Sequence, residues 1–161
     1  MKNILVLTAL LFASNCANKE KPKLTDEEKG TVVMDVKETL DNYYADIKSE
    51  GLTAEFKYLD STRDFLWTPP GYTKPISFDS VSSLLKTNSQ THKEIDNSFV
   101  SLSIEAISID SATYSGKIKS TITDSTGFTT TMFLVEKGTL VKRKDGWKLL
   151  HGETSISLNG K

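Results

Sequence analysis

Cysteine is almost missing from this chain, with one, Cys16, in 161 residues. A lone cysteine cannot close an internal disulfide. Histidine is nearly as scarce. His92 and His151 stand far apart, and there is no HExxH, no CxxC and no acidic calcium-loop spacing, so no metal-binding pattern is present. Positive charge is not in excess either. Lys plus Arg number 20 against 21 Asp plus Glu, for a net charge of −1, which excludes a protein that lives by gripping phosphate backbones. The nucleophile elbow GxSxG, the phosphate loop GxxxxGK[ST] and the dinucleotide fingerprint GxGxxG are all absent. No residue is therefore assigned a catalytic role, and neither cofactor nor metal is expected. What remains is 37% hydrophobic and 25% charged, the composition of a soluble chain with one domain.

The first sixteen residues read MKNILVLTALLFASNC. Lys2 gives a positive start, and Ile4 to Ala13 is an apolar run of about ten residues, the length of a signal-peptide core and too short to span a bilayer. Ala13, Ser14, Asn15 and then Cys16 follow. The pattern resembles the lipobox of bacterial lipoproteins, with Asn15 where a small residue is usual and Ala13 in the place of the usual Leu. The resemblance implies cleavage before Cys16 and acylation of its thiol, giving a domain tethered to the bacterial cell envelope outside the cytoplasm. Lipid at the N-terminus is then the only membrane contact, held by several acyl chains together. Residues 1–15 are read as the signal peptide, 16–24 as the acylated cysteine and a polar tether, and 25–161 as the domain.

Thr25 and Glu28 have capping-box spacing ahead of Val33, Val36, Leu40, Tyr43, Tyr44 and Ile47, predicting one long amphipathic helix over about 26–49, stopped by Gly51. A second short helix is expected over 53–59 and a short strand at Phe65, Leu66 and Trp67. Pro69, Pro70, Gly71 and Pro75 then interrupt regular structure. Ser77 or Asp79 can cap a further helix that buries Val81, Leu84 and Leu85. Beyond residue 97 the period changes to two. Val100, Leu102, Ile104 and Ala106 share one face of a strand, and Tyr114, Ile118 and Ile122 one face of the next. A long strand with a bend at Gly138 and a last strand from Trp147 complete an antiparallel meander. Helices first and strands afterwards make an α+β domain.

This order of elements looks like the nuclear transport factor 2-like superfamily, and within it the SnoaL-like and ketosteroid-isomerase-like branch. The ending GWKLLHGETS is similar to that group's terminal strand. Gly146, Trp147, Leu149, Leu150, His151, Thr154 and Ser155 fit, and Glu153 stands where a second histidine is frequent. The resemblance implies a cone-shaped domain, with N-terminal helices packed on a curved antiparallel sheet and a pocket at the open end. It does not settle function, because the superfamily holds isomerases, cyclases, dehydratases and proteins without known activity.

Alternation along the last strand puts Trp147, Leu149, His151, Glu153 and Ser155 on one face, and the resemblance turns that face into the cone. With Tyr114, and with Trp67 and Tyr72 as an aromatic lip around the proline-rich turn, Trp147, His151 and Glu153 are the candidate pocket residues. The plainer account is that Trp147 is core and that His151 and Glu153 are hydrogen-bonded near the rim. The expected function is binding of a small molecule or an envelope protein in the cone without catalysis. The alternative is an isomerase, cyclase or dehydratase acting on a small carbonyl compound. Lys137, Lys142, Arg143, Lys144 and Lys148 crowd one hairpin, where Glu136 and Asp145 interrupt them, and read as a solvated surface. A homodimer through the outer sheet face is left open.

Overall fold

The computed structural model describes residues 23–157. The expected signal peptide over 1–15, and Cys16, lie outside the described residues. Helix α1 runs over Asp26–Glu50. Thr25 caps it by accepting from the Glu28 amide, and the Glu28 carboxylate accepts from the Thr25 amide in return, so two otherwise orphaned donors are satisfied. Its buried stripe is Val32, Val36, Leu40, Tyr43, Tyr44 and Ile47; Val32, not Val33, is the first fully buried position. Gly51, with φ 88, ends the helix in a conformation that a side chain would resist. A 3-10 helix follows over Leu52–Lys57.

Strands β1 (Leu66–Thr68) and β2 (Ile76–Ser77) flank the proline-rich turn, and helix α2 (Phe78–Asn88) starts from Ser77 as its cap. The long strands are β3 (His92–Ser108), β4 (Ser111–Asp124), β5 (Thr129–Arg143) and β6 (Gly146–Ile156). The sheet order is β2-β1-β6-β5-β4-β3. The expected meander is β3 to β6, and β1 joins it in parallel to β6, so the sheet is mixed. It is curved and unclosed, with α1 packed chiefly against β3 on its concave side. The architecture is the expected α+β cone.

Curvature is introduced where one strand carries an extra residue. The β3–β4 register skips Val100, between Phe99 and Ser101. Val100 is 57% exposed, although alternation alone would group it with Leu102. The β5–β6 register passes from Leu140↔Leu149 to Thr139↔His151 and leaves Leu150 unpaired. Such bulges bend the strand and re-aim every side chain beyond them. The bend foreseen at Gly138 is thus made on the partner strand. Gly138 faces Gly152 across the ladder, and together they seat an indole: a Cβ on Gly152 would come within 2.5 Å of the Trp67 ring, and one on Gly138 within 3.2 Å.

Candidate functional site

The concave side encloses a chamber of about 220 Å³. Its walls are mostly apolar. Leu52 and Leu59 come from the segment after α1, Phe65 and Trp67 from β1 and its approach, Val81, Leu84 and Leu85 from α2, and Leu134 and Leu149 from the sheet. Pro69, Pro70 and Asn88 stand at the more exposed end. The polar groups reach in from separate elements: Tyr43 and Tyr44 from the last turns of α1, Glu55 from the 3-10 helix, Asn97 from β3, Glu136 from β5 and Thr154 from β6. No lysine, arginine or histidine lines the chamber among the described residues.

Glu136 organises this cluster. Period-two alternation carries Leu134, Glu136, Gly138 and Leu140 inward along β5, so the carboxylate arrives in the core, 6% exposed. Its Oε1 accepts from the Tyr114 hydroxyl at 2.6 Å and the Tyr44 hydroxyl at 3.2 Å. Its Oε2 accepts from Thr154 Oγ1 at 2.9 Å, and Thr154 Oγ1 accepts from Trp67 Nε1 at 3.0 Å. Five side chains on five elements thus form one chain of hydrogen bonds, whose members polarise one another.

Burial pushes the Glu136 carboxyl above the ordinary glutamate range, while the three hydroxyl donors hold it down. Glu55 is pushed up to about 8, first by burial and further by the Glu136 charge, with the Tyr43 hydroxyl opposing. At neutral pH Glu55 is therefore mostly a neutral acid. Burial and the same carboxylates raise the hydroxyls of Tyr43, Tyr44 and Tyr114 well above their ordinary value, so all three stay protonated.

Of the residues picked out from the sequence, Trp67 lines the chamber; Tyr114 does not, but donates to Glu136 and, with His151 and Glu153, lines an open depression of about 500 Å³. Trp147 is buried in the general core, with Lys142 Nζ 5.6 Å from its ring centroid, and does not line the chamber. Tyr72 is 46% exposed and lies by a shallow depression beside α2, so the aromatic lip reduces to Trp67 with Pro69 and Pro70. His151 and Glu153 point away from the cone, a correction that follows from Leu150. The extra residue turns the face of Trp147 and Leu149 onto Gly152 and Thr154. His151 Nε2 lies 2.7 Å from the Asp64 carbonyl oxygen, and Glu153 pairs with Lys137 at 2.9 Å on the outer surface.

Glu136, Glu55, Tyr43, Tyr44, Asn97 and Thr154 were not singled out from the sequence. The inward alternation on β5 is a signal that could have found Glu136, which reads locally as a charge among lysines. Tyr43 and Tyr44 read as core stripe, and nothing local marks Glu55.

No protein-family model matches the sequence, and no curated protein matches it. Solved structures do. A nuclear transport factor 2-like superfamily protein from Salmonella enterica serovar Typhimurium aligns with TM-score 0.69 and 14% identity, over 82% of this chain and 95% of that one. A candidate scytalone dehydratase from Novosphingobium aromaticivorans aligns with TM-score 0.71 and 10% identity, over 83% and 89%. A hexachlorocyclohexane dehydrochlorinase aligns with TM-score 0.65 and 12% identity, over 85% and 95%. The fold that the chain shares with them is the nuclear transport factor 2-like cone.

Proposed function

We propose that this is a lipid-anchored protein of the bacterial cell envelope whose cone chamber binds a small molecule without transforming it. One observation carries the binding reading: apolar walls converge on a small set of buried polar groups in a chamber of about 220 Å³, the arrangement expected of a small-molecule site. The size suits a small organic molecule better than a protein segment. Binding without chemistry is supported by the state of the two acids. Glu136 already accepts three hydrogen bonds of the roughly four that a carboxylate can take. Glu55, at about 8, is mostly protonated at neutral pH and poorly placed to act as a base.

A second reading, acid–base catalysis on a small carbonyl compound, draws on the same pair, since two carboxyls with separated proton affinities can divide acid and base roles. The site then rests on Glu55 and Glu136, and not on His151 and Glu153. The envelope address rests on Lys2, the apolar run and Cys16.

The test is native mass spectrometry of the full chain purified from its own membranes. An unmodified small molecule should be carried by the wild type and missing from Leu84→Trp, which fills the chamber. A wild type that carries nothing and gains no thermal stability from any apolar small molecule rejects the binding reading. Turnover of the bound molecule rejects the non-catalytic one. Cys16→Ser should release the protein from the membrane fraction; retention there rejects the anchor.

A further inference from the structure

The charge-bearing polar groups of the chamber are both carboxyls, and most of its hydroxyl protons are already committed. Tyr44, Tyr114 and Thr154 have their hydroxyl protons on Glu136, and Trp67 has its indole proton on Thr154. What is left is the Glu55 carboxyl, the remaining acceptor capacity of Glu136, and the Asn97 amide, with the Asn88 amide at the more exposed end. Asn97 Oδ1 is fully enclosed and has no hydrogen-bond partner, a state that buried acceptors rarely tolerate. Charge points the same way. Two carboxyls close enough to disturb each other share a chamber with no basic side chain. The groups facing Glu55 and Glu136 are Tyr43 and Tyr44 from α1, Trp67 from β1, Asn97 from β3, Tyr114 from β4 and Thr154 from β6. Helix α2 contributes Val81, Leu84, Leu85 and Asn88 and no charge. Tyrosine ring faces add a weak attraction for a cation.

We propose that the chamber is selective for a small organic ammonium, an apolar body carrying a protonated amine seated among Glu55, Glu136 and Asn97 Oδ1. This rests on the small-molecule reading above and narrows it to a class. An ammonium brings up to three donors and one positive charge, which answers the open acceptors and the unpaired charge together. A neutral carbonyl ligand could take a hydrogen bond from an asparagine amide or the neutral Glu55 acid, but would leave the carboxylate charge unanswered. A carboxylate ligand would add a third like charge. Seating the cation favours the ionised form of Glu55, so binding releases a proton from that side chain.

The experiment compares three aromatic probes of one size on the full chain: benzylamine, benzyl alcohol and benzoate. An apolar cavity of roughly 150 Å³ already accepts benzene, so the ring fits. Calorimetry and Trp67 fluorescence at pH 8 should show benzylamine bound about tenfold or more tighter than benzyl alcohol, a difference of about 1.4 kcal/mol, and benzoate not bound. Benzylamine affinity should fall by up to about tenfold per pH unit below 8, as Glu55 holds its proton, while benzyl alcohol affinity stays level. Glu55→Gln mimics the neutral acid and should fold. It should bring the two probes to parity and remove the pH dependence. Leu84→Trp should abolish binding of both.

Equal binding of amine and alcohol overturns the ammonium inference and leaves the small-molecule reading standing. Amine binding that survives Leu84→Trp places the cation on surface acids and also overturns the inference. No binding of any probe at millimolar concentration overturns the inference together with the pocket on which it rests.

Discussion

Two neighbouring rungs of the β5–β6 ladder carry opposite kinds of electrostatics. Glu136 stands opposite Thr154, and one residue along, Lys137 stands opposite Glu153. The first rung faces the chamber and the second faces water. Glu136 is 6% exposed and has no ion-pair partner among the described residues; three hydroxyls solvate it. Glu153 keeps half its side-chain surface and pairs with Lys137 at 2.9 Å. A carboxylate removed from water must be resolvated by the protein, and fixed dipoles do this at the cost of a raised proton affinity. A carboxylate left in water gains little from any partner. The inner rung therefore belongs to the buried hydrogen-bond network, and the outer rung is a screened surface pair.

The most damaging way to break the inner side is to remove its scaffold. Trp67 lies over Gly152 and Gly138 and donates to Thr154. Trp67→Ala should lower unfolding free energy by about 3–5 kcal/mol, as for a buried large aromatic, read by urea denaturation. Next comes Glu136→Ala, which leaves the hydroxyls of Tyr44, Tyr114 and Thr154 without their acceptor. It should cost about 2–3 kcal/mol, within the usual range for stranding buried polar groups. A loss no larger than that of an exposed glutamate would mean that the cluster does not hold the core.

These inner residues were the less legible half. Helix α1, with Thr25 and Glu28 at its start and Gly51 past its end, could be read from spacing, because capping and 3.6-residue periodicity are local. The strands could be read from alternation, and the cone came from the order of elements and the GWKLLHGETS ending. Alternation is also where the reading failed. It assumes a constant pleat, whereas Val100 and Leu150 are extra residues set by the ladder opposite. One unpaired leucine was enough to turn His151 and Glu153 from the cone to the other side of the sheet, where they line an open depression with Tyr114. The chamber's acids escaped for a different reason. Glu55 and Glu136 are 81 positions apart in sequence, and only the fold brings them together.

A third prediction sharpens the contrast through pH. Unfolded, Glu55 loses its proton near the ordinary value of about 4.3; folded, it keeps it to about 8. Between those limits the folded state binds the extra proton. The stability this group confers is therefore full below about pH 4 and drains away as pH rises toward 8. Glu136 is shifted in the same direction and adds to the slope. Relative to the wild type, Glu55→Gln should gain stability between pH 5 and pH 8 by about 1 kcal/mol or more, since one pKa unit corresponds to about 1.4 kcal/mol. Parallel stability curves for the two proteins would place Glu55 in water.

The smallest expected effect belongs to the outer rung. Lys137 and Glu153 are a direct cross-strand pair, the arrangement in which opposite charges help a sheet most. Both side chains are more than half exposed, at 61% and 51%, so water and salt screen the attraction, and holding two long side chains in place opposes it further. Glu153→Ala and Lys137→Ala should each change stability by no more than about 0.5 kcal/mol, and the coupling from a double-mutant cycle should vanish at high salt. His151→Ala tests the same face by a different contact, because its ring nitrogen meets only the Asp64 carbonyl oxygen beside β1. It too should leave the binding of any chamber ligand unchanged. If His151→Ala or Glu153→Ala instead weakened that binding as much as Glu136→Ala does, the two faces would be coupled through Leu150, and the separation drawn between the rungs would fail.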